Sequence, residues 1–423
     1  MKILAFIYTF APDGDFDSYM VEVVNGFENV GAELYVIKSN ELINRKRGTL
    51  LQNNKRIDSY IKKTIEKIQP DFILSINRGG ISKSILKNFN SIPIITLMVD
   101  LMFFKSSNFG EKTIFRDNDH LITATFAAVN ALEKKFPELK GRVYYLPVCT
   151  RKEDFNHTIK KDINISFIGN LFGKSKKLIA LNKNDKKFRS GFFKFIEEVN
   201  NSYHLDDNYY LTKYNIKDKL IAKRYDPDKL LYIAANIIST NDRIKTLDAV
   251  SDLGLRIYGP EKWYETISYS HKLASCYQFN EYIKTRKQLC SIYDRTKIGI
   301  NINHHQATSG FGYRVVDILA SSALLITNFQ EDSDFKRLFG KDHKIPTYRS
   351  PEELRNKIVY FLNHEEKRKE LVAYCNQLVA KGFSFEERAA QIIQIAYPAF
   401  VPLASNKIKA KYISIPKFYT WRF

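Results

Sequence analysis

The sequence predicts an α/β protein of two Rossmann-like halves, each a doubly wound parallel sheet. Three observations carry this. Short strands rich in β-branched residues alternate with amphipathic helices through residues 1–146. The alternation lapses in a polar stretch and resumes at residue 163. A chain of 423 residues is also too long for one hydrophobic core.

In the first half, residues 2–8 (KILAFIY) read as a buried strand that breaks into the turn-rich APDGDFD. Residues 18–30 form a helix with Met20, Val23, Val24 and Phe27 on one face. ELYVI (33–37) is the second strand, and 55–68 is an amphipathic helix ended before Pro70. DFILSI (71–76) closes on Asn77-Arg78-Gly79-Gly80 and is followed by a helix over 81–88. PIITL (93–97), HLIT (120–123) and VYYL (143–146) complete six strands, with a helix over 126–136. These elements set a domain at 1–150, and the aperiodic, charged residues 151–162 read as an interdomain linker.

The second domain spans 163–385. INISFI (163–168) runs into Gly169-Asn170-Leu171-Phe172-Gly173. Residues 191–250 are mostly helical, LRIY (255–258) ends in Gly259-Pro260, and 282–294 is a helix. Later come short helices, an edge strand at 344–348, a helix pair at 351–363 and 365–380, and a last helix over 385–396. Residues 386–423 form a tail mixing Tyr412, Phe418, Tyr419, Trp421 and Phe423 with lysines. It could return to the N-terminal domain or lie on an anionic membrane surface.

Composition narrows the function. A net charge of +20 and a pI near 9.5 imply an anionic partner. The four cysteines form no CxxC pair and no zinc spacing, so neither a structural metal nor a cofactor is expected. Their scatter suits a reducing cytosol, and no segment approaches the roughly 18 apolar residues of a membrane span. The expected location is cytoplasmic, with peripheral contact on the inner face of the plasma membrane open.

The most informative stretch is 297–328, KIGININHHQATSGFGYRVVDILASSALLITN. It reads as strand, small-residue loop, helix and strand, one βαβ unit. Ligands bind such units at the loop after the strand, facing the helix N-terminus. Gly310 and Gly312 let backbone approach a phosphate, and Arg314 adds positive charge in the first helical turn. Asp317 lies one turn on. An ordinary capping loop with a surface Arg314–Asp317 pair is the plain alternative. Two such halves place a cleft between the carboxyl ends of their sheets.

The second half resembles the CgeB-like glycosyltransferases, a branch of the two-domain glycosyltransferase B (GT-B) fold. The matching pieces occur in order: ISFIGN, LRIYGPEKW, IYDRTKIGININ, GFGYRVVDILASSALLITN, YRSPEELRNKIVYFLNHEEKRKELVAYCNQLV and FSFEERAAQI. They cover about residues 163–396, and the first half matches more loosely through PIITLMVDLMFF. The resemblance implies that the nucleotide of an activated sugar sits on the C-terminal domain. Arg314 matches an arginine that meets the diphosphate. Asp317 stands where the family has a Glu that accepts the ribose hydroxyls. Ala320-Ser321-Ser322 departs from the usual Ala-x-Gly. The donor-binding candidates are Asn170, Tyr258, Gly259, His304, Ser309, Gly310, Phe311, Gly312, Tyr313, Arg314 and Asp317.

An inverting transfer needs a base for the acceptor proton. Asp100, at the end of a hydrophobic strand, is one candidate, and Asp15 in the APDGDFD loop is another, beside Asp13 and Asp17. Either could equally be a cap or loop residue. Arg78 could meet a phosphate or only make a turn. Of His304 and His305 at most one can face a site. The Lys-rich runs at 174–187 and 213–224 read as solvated faces.

The expected activity is metal-independent transfer of a sugar from a nucleotide donor to a glycan, lipid-linked or protein acceptor, in cell-envelope or surface glycan synthesis. The rivals are a nucleotide-sugar epimerase and a basic nucleic-acid-binding protein. The sequence carries no nucleic-acid-binding signature, so no nucleic-acid partner is expected.

Overall fold

The computed structural model describes residues 1–7, 18–39, 43–44, 49–50, 55–99, 114–172, 190, 194, 196–197, 227–279, 281, 283–305, 307, 309–402 and 407–415. The chain starts with β1 (Lys2–Ile7), α1 (Ser18–Asn29), β2 (Glu33–Lys38) and the two-residue strands β3 (Ile43–Asn44) and β4 (Thr49–Leu50). Next come α2 (Lys55–Ile68), β5 (Phe72–Ile76), α3 (Lys83–Asn88), β6 (Ile94–Met98), β7 (His120–Thr123), α4 (Phe126–Lys135) and β8 (Val143–Tyr145).

A second series opens with β9 (Ile163–Ile168), α5 (Pro227–Asp248), β10 (Leu255–Tyr258), α6 (His271–Ser275), α7 (Arg286–Arg295) and β11 (Thr296–Asn301). It continues with α8 (Tyr313–Ala320), β12 (Leu324–Asn328), α9 (Asp334–Phe339), β13 (Thr347–Tyr348), α10 (Pro351–Asn363) and α11 (Glu365–Leu378). The chain ends with α12 (Phe385–Ala396) and β14 (Lys411–Ile413).

These elements make two compact units, residues 1–147 with 384–423, and residues 148–383. The first unit holds a parallel sheet in the order β14-β2-β1-β5-β6-β7-β8. Its central strands are buried on both faces, as their near-continuous apolar sequences require. α2 packs Ile57, Ile61, Ile65 and Ile68 against Leu4, Phe6 and Ile73. That spacing is one stripe of a helix.

The tail belongs to this unit. α12 packs on α1 at Gly26, where a Cβ would lie 2.6 Å from the Phe385 carbonyl oxygen. β14 then adds itself to the outer edge of β2, with Tyr412 paired to Val36. Glu28 guides the approach: its backbone carbonyl accepts from Ile408 N (3.1 Å) and its side chain from Ala410 N (2.8 Å).

The second unit holds a parallel sheet in the order β10-β9-β11-β12-β13. β9 comes first in the chain, with β10 on one side and β11 on the other. The winding therefore reverses between β9 and β11, and their outgoing loops flank the crevice where open α/β sheets take ligands. Ile165, Phe167, Ile257, Ile298, Ile300 and Ile326 build the core beneath.

Two boundaries differ from expectation. The helix expected at 282–294 starts at Arg286, because Thr285 and Gln288 close a reciprocal capping box there. Residues 151–162, expected as a free linker, lie in the second unit. The Asn156 backbone N–H donates to the Asp294 carboxylate (2.9 Å) and Lys161 Nζ to the Asp294 carbonyl (2.8 Å), so backbone and side chain of this polar segment anchor it to the second unit. No helix among the described residues is long and apolar enough to cross a membrane.

Candidate functional site

The loops leaving β9 and β11 meet at the crevice of the second unit. After β9, Gly169 N donates to the Tyr258 carbonyl (2.9 Å) and Trp263 Nε1 donates to the Gly169 carbonyl (2.7 Å). The backbone is so close that a Cβ on Gly259 would sit 2.2 Å from the Gly169 oxygen. A Cβ on Gly169 would meet the Phe167 ring at 2.8 Å and Arg314 Nη1 at 3.3 Å. Glycine is required at both places. The loop continues with exposed Asn170, and the N–H groups of Asn170, Leu171 and Phe172 have no partner among the described residues. Successive free amides of this kind attract an anion.

After β11 the chain runs through residues 302–312 into α8. Gly312 is its N-cap, supplies no side-chain cap, and has no atom of the described residues within 4 Å of a notional Cβ. The first turn carries no acidic residue, so the positive end of the helix is uncompensated. Arg314 is half-buried against Gly169 and forms no hydrogen bond or ion pair among the described residues. A helix N-terminus, loop amides and an unpaired guanidinium therefore converge at one crevice.

Behind the crevice stands α5, whose polar stripe grips both loops. Thr240 Oγ1 donates to the Phe172 carbonyl (2.6 Å), and Ser239 Oγ accepts from His305 N (3.1 Å). His304 Nε2 lies 3.0 Å from Asn236 Oδ1, and its ring packs edge-on against Phe172. Arg243, fully buried, donates to the carbonyls of Asn170 and Ile302 and lies over the Phe172 ring at 4.7 Å. Burial, and then the like charge of Arg314, push its guanidinium down to about 9, with Asp242 and Tyr348 pulling back. Burial followed by Arg243 lowers both histidines, His305 to about 4, so both stay neutral at pH 7. Sequence reasoning missed Arg243. The available signal was a charged residue in register with buried Ala235, Ser239 and Leu247 on one helix face.

The structure relocates several expected site residues. Asp317 is 0% exposed, and its Oδ1 accepts from Thr150 Oγ1 (2.6 Å) and Arg286 Nη1 (3.0 Å). Its short side chain ties α8 to α7 and the 148–156 segment, and the carboxylate is not open to ribose hydroxyls. The surface pair with Arg314, the plain alternative, is absent for the same reason. Ser309 turns inward to Asp334 (2.8 Å), and Phe311 stacks on Phe335 at 4.7 Å, so both hold the loop onto α9. The Tyr258 side chain is buried, and only its carbonyl reaches the β9 loop. Asn170, Gly310, Gly312, Tyr313 and Arg314 lie on the two loops or the first turn of α8, and Gly259 backs the first loop.

Asp100 and Asp15 lie outside the described residues, as do Asp13, Asp17, both Lys-rich runs and the aromatics at 418–423. Arg78 is buried, with left-handed backbone (φ 55°), and pairs with Asp119 at 2.8 Å; it makes a turn and an internal ion pair. No group of three His, Cys, Asp or Glu suited to a metal occurs among the described residues.

Residues 242–394 match the family model described as glycosyl transferase-like. No curated protein matches the chain. Among solved structures, a glycosyltransferase from Rickettsia africae aligns at 11% identity and TM-score 0.54, over 94% of this chain and 98% of that one. HepE of Anabaena, solved with UDP-glucose, aligns at 9% identity and TM-score 0.53, over 93% and 99%. WaaG, a glycosyltransferase of lipopolysaccharide biosynthesis, aligns at 11% and 0.52, over 93% and 99%. At such identities the likeness is one of fold, and it shows the GT-B architecture of two Rossmann-like domains.

Proposed function

We propose that the protein is a glycosyltransferase whose nucleotide-sugar donor binds the second unit, diphosphate at the crevice between the β9 and β11 loops. The observation that carries this is Arg314, unpaired among the described residues beside the uncapped start of α8 and the free amides of 170–172. The family match over 242–394 and the UDP-glucose held by a protein of the same fold support it.

In the reaction, the bond from the sugar's anomeric carbon to the diphosphate breaks and the nucleoside diphosphate leaves with the electron pair. Arg314, the helix N-terminus and the loop amides stabilise that growing charge without a metal, because preorganised donors need not reorient. The acceptor oxygen bonds the anomeric carbon and loses its proton, with Asp100 or Asp15 as the base if the transfer inverts. The donor's ribose is held by groups other than Asp317. We place the protein near the CgeB-like branch, acting on a glycan or lipid-linked acceptor in cell-surface glycan synthesis; the excess positive charge suits work beside an anionic membrane.

The test is calorimetric titration of nucleoside diphosphates and nucleotide sugars into the wild type and Arg314→Ala. Loss of one charge-assisted contact, about 1.5–3 kcal/mol, weakens binding roughly ten- to a hundredfold. Unchanged affinity and unchanged donor turnover in the variant would discard the site.

A further inference from the structure

We propose that Arg243 is a positioning residue that sets the two lips of this crevice together, and that the site's preference for a diphosphate over a monophosphate depends on it. The inference rests on the nucleotide-diphosphate reading and assigns it a residue that touches no ligand.

The guanidinium is a rigid planar fork of donors. One arm, Nη1, donates to the Asn170 carbonyl in the β9 loop, and the other, Nη2, to the Ile302 carbonyl in the β11 loop (3.3 Å). These two loops are the edges of the switch-point crevice. A trans peptide is planar, with its C=O and N–H pointing opposite ways. Drawing the Asn170 oxygen inward to Arg243 therefore turns the Leu171 N–H away from α5, where it is left without a partner among the described residues. One buried side chain thus fixes both the spacing of the lips and the direction of an amide on one of them.

The arrangement is poor as a purely structural device. Nε of Arg243 is buried and unpaired, and Arg314 is a like charge nearby. No carboxylate hydrogen-bonds either guanidinium among the described residues. Two cations held together with no hydrogen-bonded carboxylate, and with Asp242 as a partial offset, are a standing cost that an anion of more than one charge removes. A diphosphate bridges both lips. A monophosphate engages one of them and gains little from their fixed spacing.

The experiment titrates inorganic pyrophosphate, orthophosphate and UDP into the wild type, Arg243→Lys and Arg243→Met, with melting curves of each. Lysine keeps the charge but cannot bridge two carbonyls. Both variants should weaken pyrophosphate and UDP about ten- to a hundredfold, the scale of an ångström-level misplacement. Orthophosphate affinity should change less than threefold, so the selectivity collapses. If the variants melt earlier yet bind pyrophosphate as the wild type does, Arg243 is only structural and the proposal is overturned. Should neither fold, Thr240→Val removes a hydroxyl that holds the same β9 loop. It should lower pyrophosphate affinity several-fold with orthophosphate unmoved, and no change overturns the proposal. A wild type that binds no diphosphate at all instead removes the underlying reading.

Discussion

Each unit gathers arginines against its sheet, the first at the amino end of β7 and the second at the carboxyl ends of β9 and β11, and these two clusters solve the same charge problem differently. In the first unit Asp119, 0% exposed, receives Arg78 at 2.8 Å and Arg116 at 2.7 Å. Other donors are used as well: Arg116 holds the carbonyls of Phe89 and Ile92 (both 2.8 Å), and Arg78 lies over Phe115 at 4.3 Å, with its buried Nε alone in the pair unpaired among the described residues. In the second unit Arg243 and Arg314 stand together with no carboxylate bonded to either among the described residues. A closed cluster ties loops to a sheet. An open one leaves a place for an anion from solution. The presence of buried arginine is common to both, so what separates architecture from a site is whether the charge is answered within the chain.

This contrast can be broken most severely at Asp119. Asp119→Ala leaves two guanidinium groups unanswered inside the first unit and should cost about 3–5 kcal/mol in urea unfolding. A loss below about 1 kcal/mol would mean that the closed cluster is not closed. Acid titration probes the same group. Burial works to raise the Asp119 carboxyl, but Arg78 and Arg116 outweigh it and hold it below its ordinary 3.8. Its contribution is therefore full above 3.8 and drains away as pH falls from there through the lower folded value. Asp119→Asn should flatten the stability curve in that window.

The open cluster predicts the converse. A diphosphate at a hundred times its Kd should add about 2.7 kcal/mol to apparent stability by mass action, read as a rise in melting temperature. The same rise in Arg314→Ala at the same concentration would show that the anion binds elsewhere. Smallest of all, Arg314→Ala without ligand should change stability by less than about 1 kcal/mol, in the stabilising direction if relief of repulsion dominates. A large loss would mean that Arg314 holds structure, and the two clusters would then be alike.

The features legible in the sequence were those fixed by local pattern. Alternating strands and helices gave two parallel sheets, because β-branched runs and 3.6-residue stripes are read residue by residue. The βαβ unit at 297–328 appeared nearly as expected, as β11, α8 and β12. The partners of single side chains were less legible. Asp317 meets Thr150 across 167 positions and Arg286 across 31, and no local pattern announces either. Arg243 lay inside a helix recognised only in outline, and its role depends on two loops at 170 and 302. The strand at 411–413 is three residues with a lysine first, too short to register until an open edge selects it.

That strand has a practical bearing on any preparation of this protein. β2 carries the alternation ELYVIK, and β14 occupies its outer row of N–H and C=O groups along Tyr35–Ile37. Clipping the chain before residue 407 would leave those groups as a ready template for another molecule's backbone, and unprotected edges of this kind seed self-association. Samples shortened at the carboxyl end should therefore precipitate or form oligomers while the second unit stays intact. Insolubility in such a sample would come from the bared edge and carry no information about catalysis.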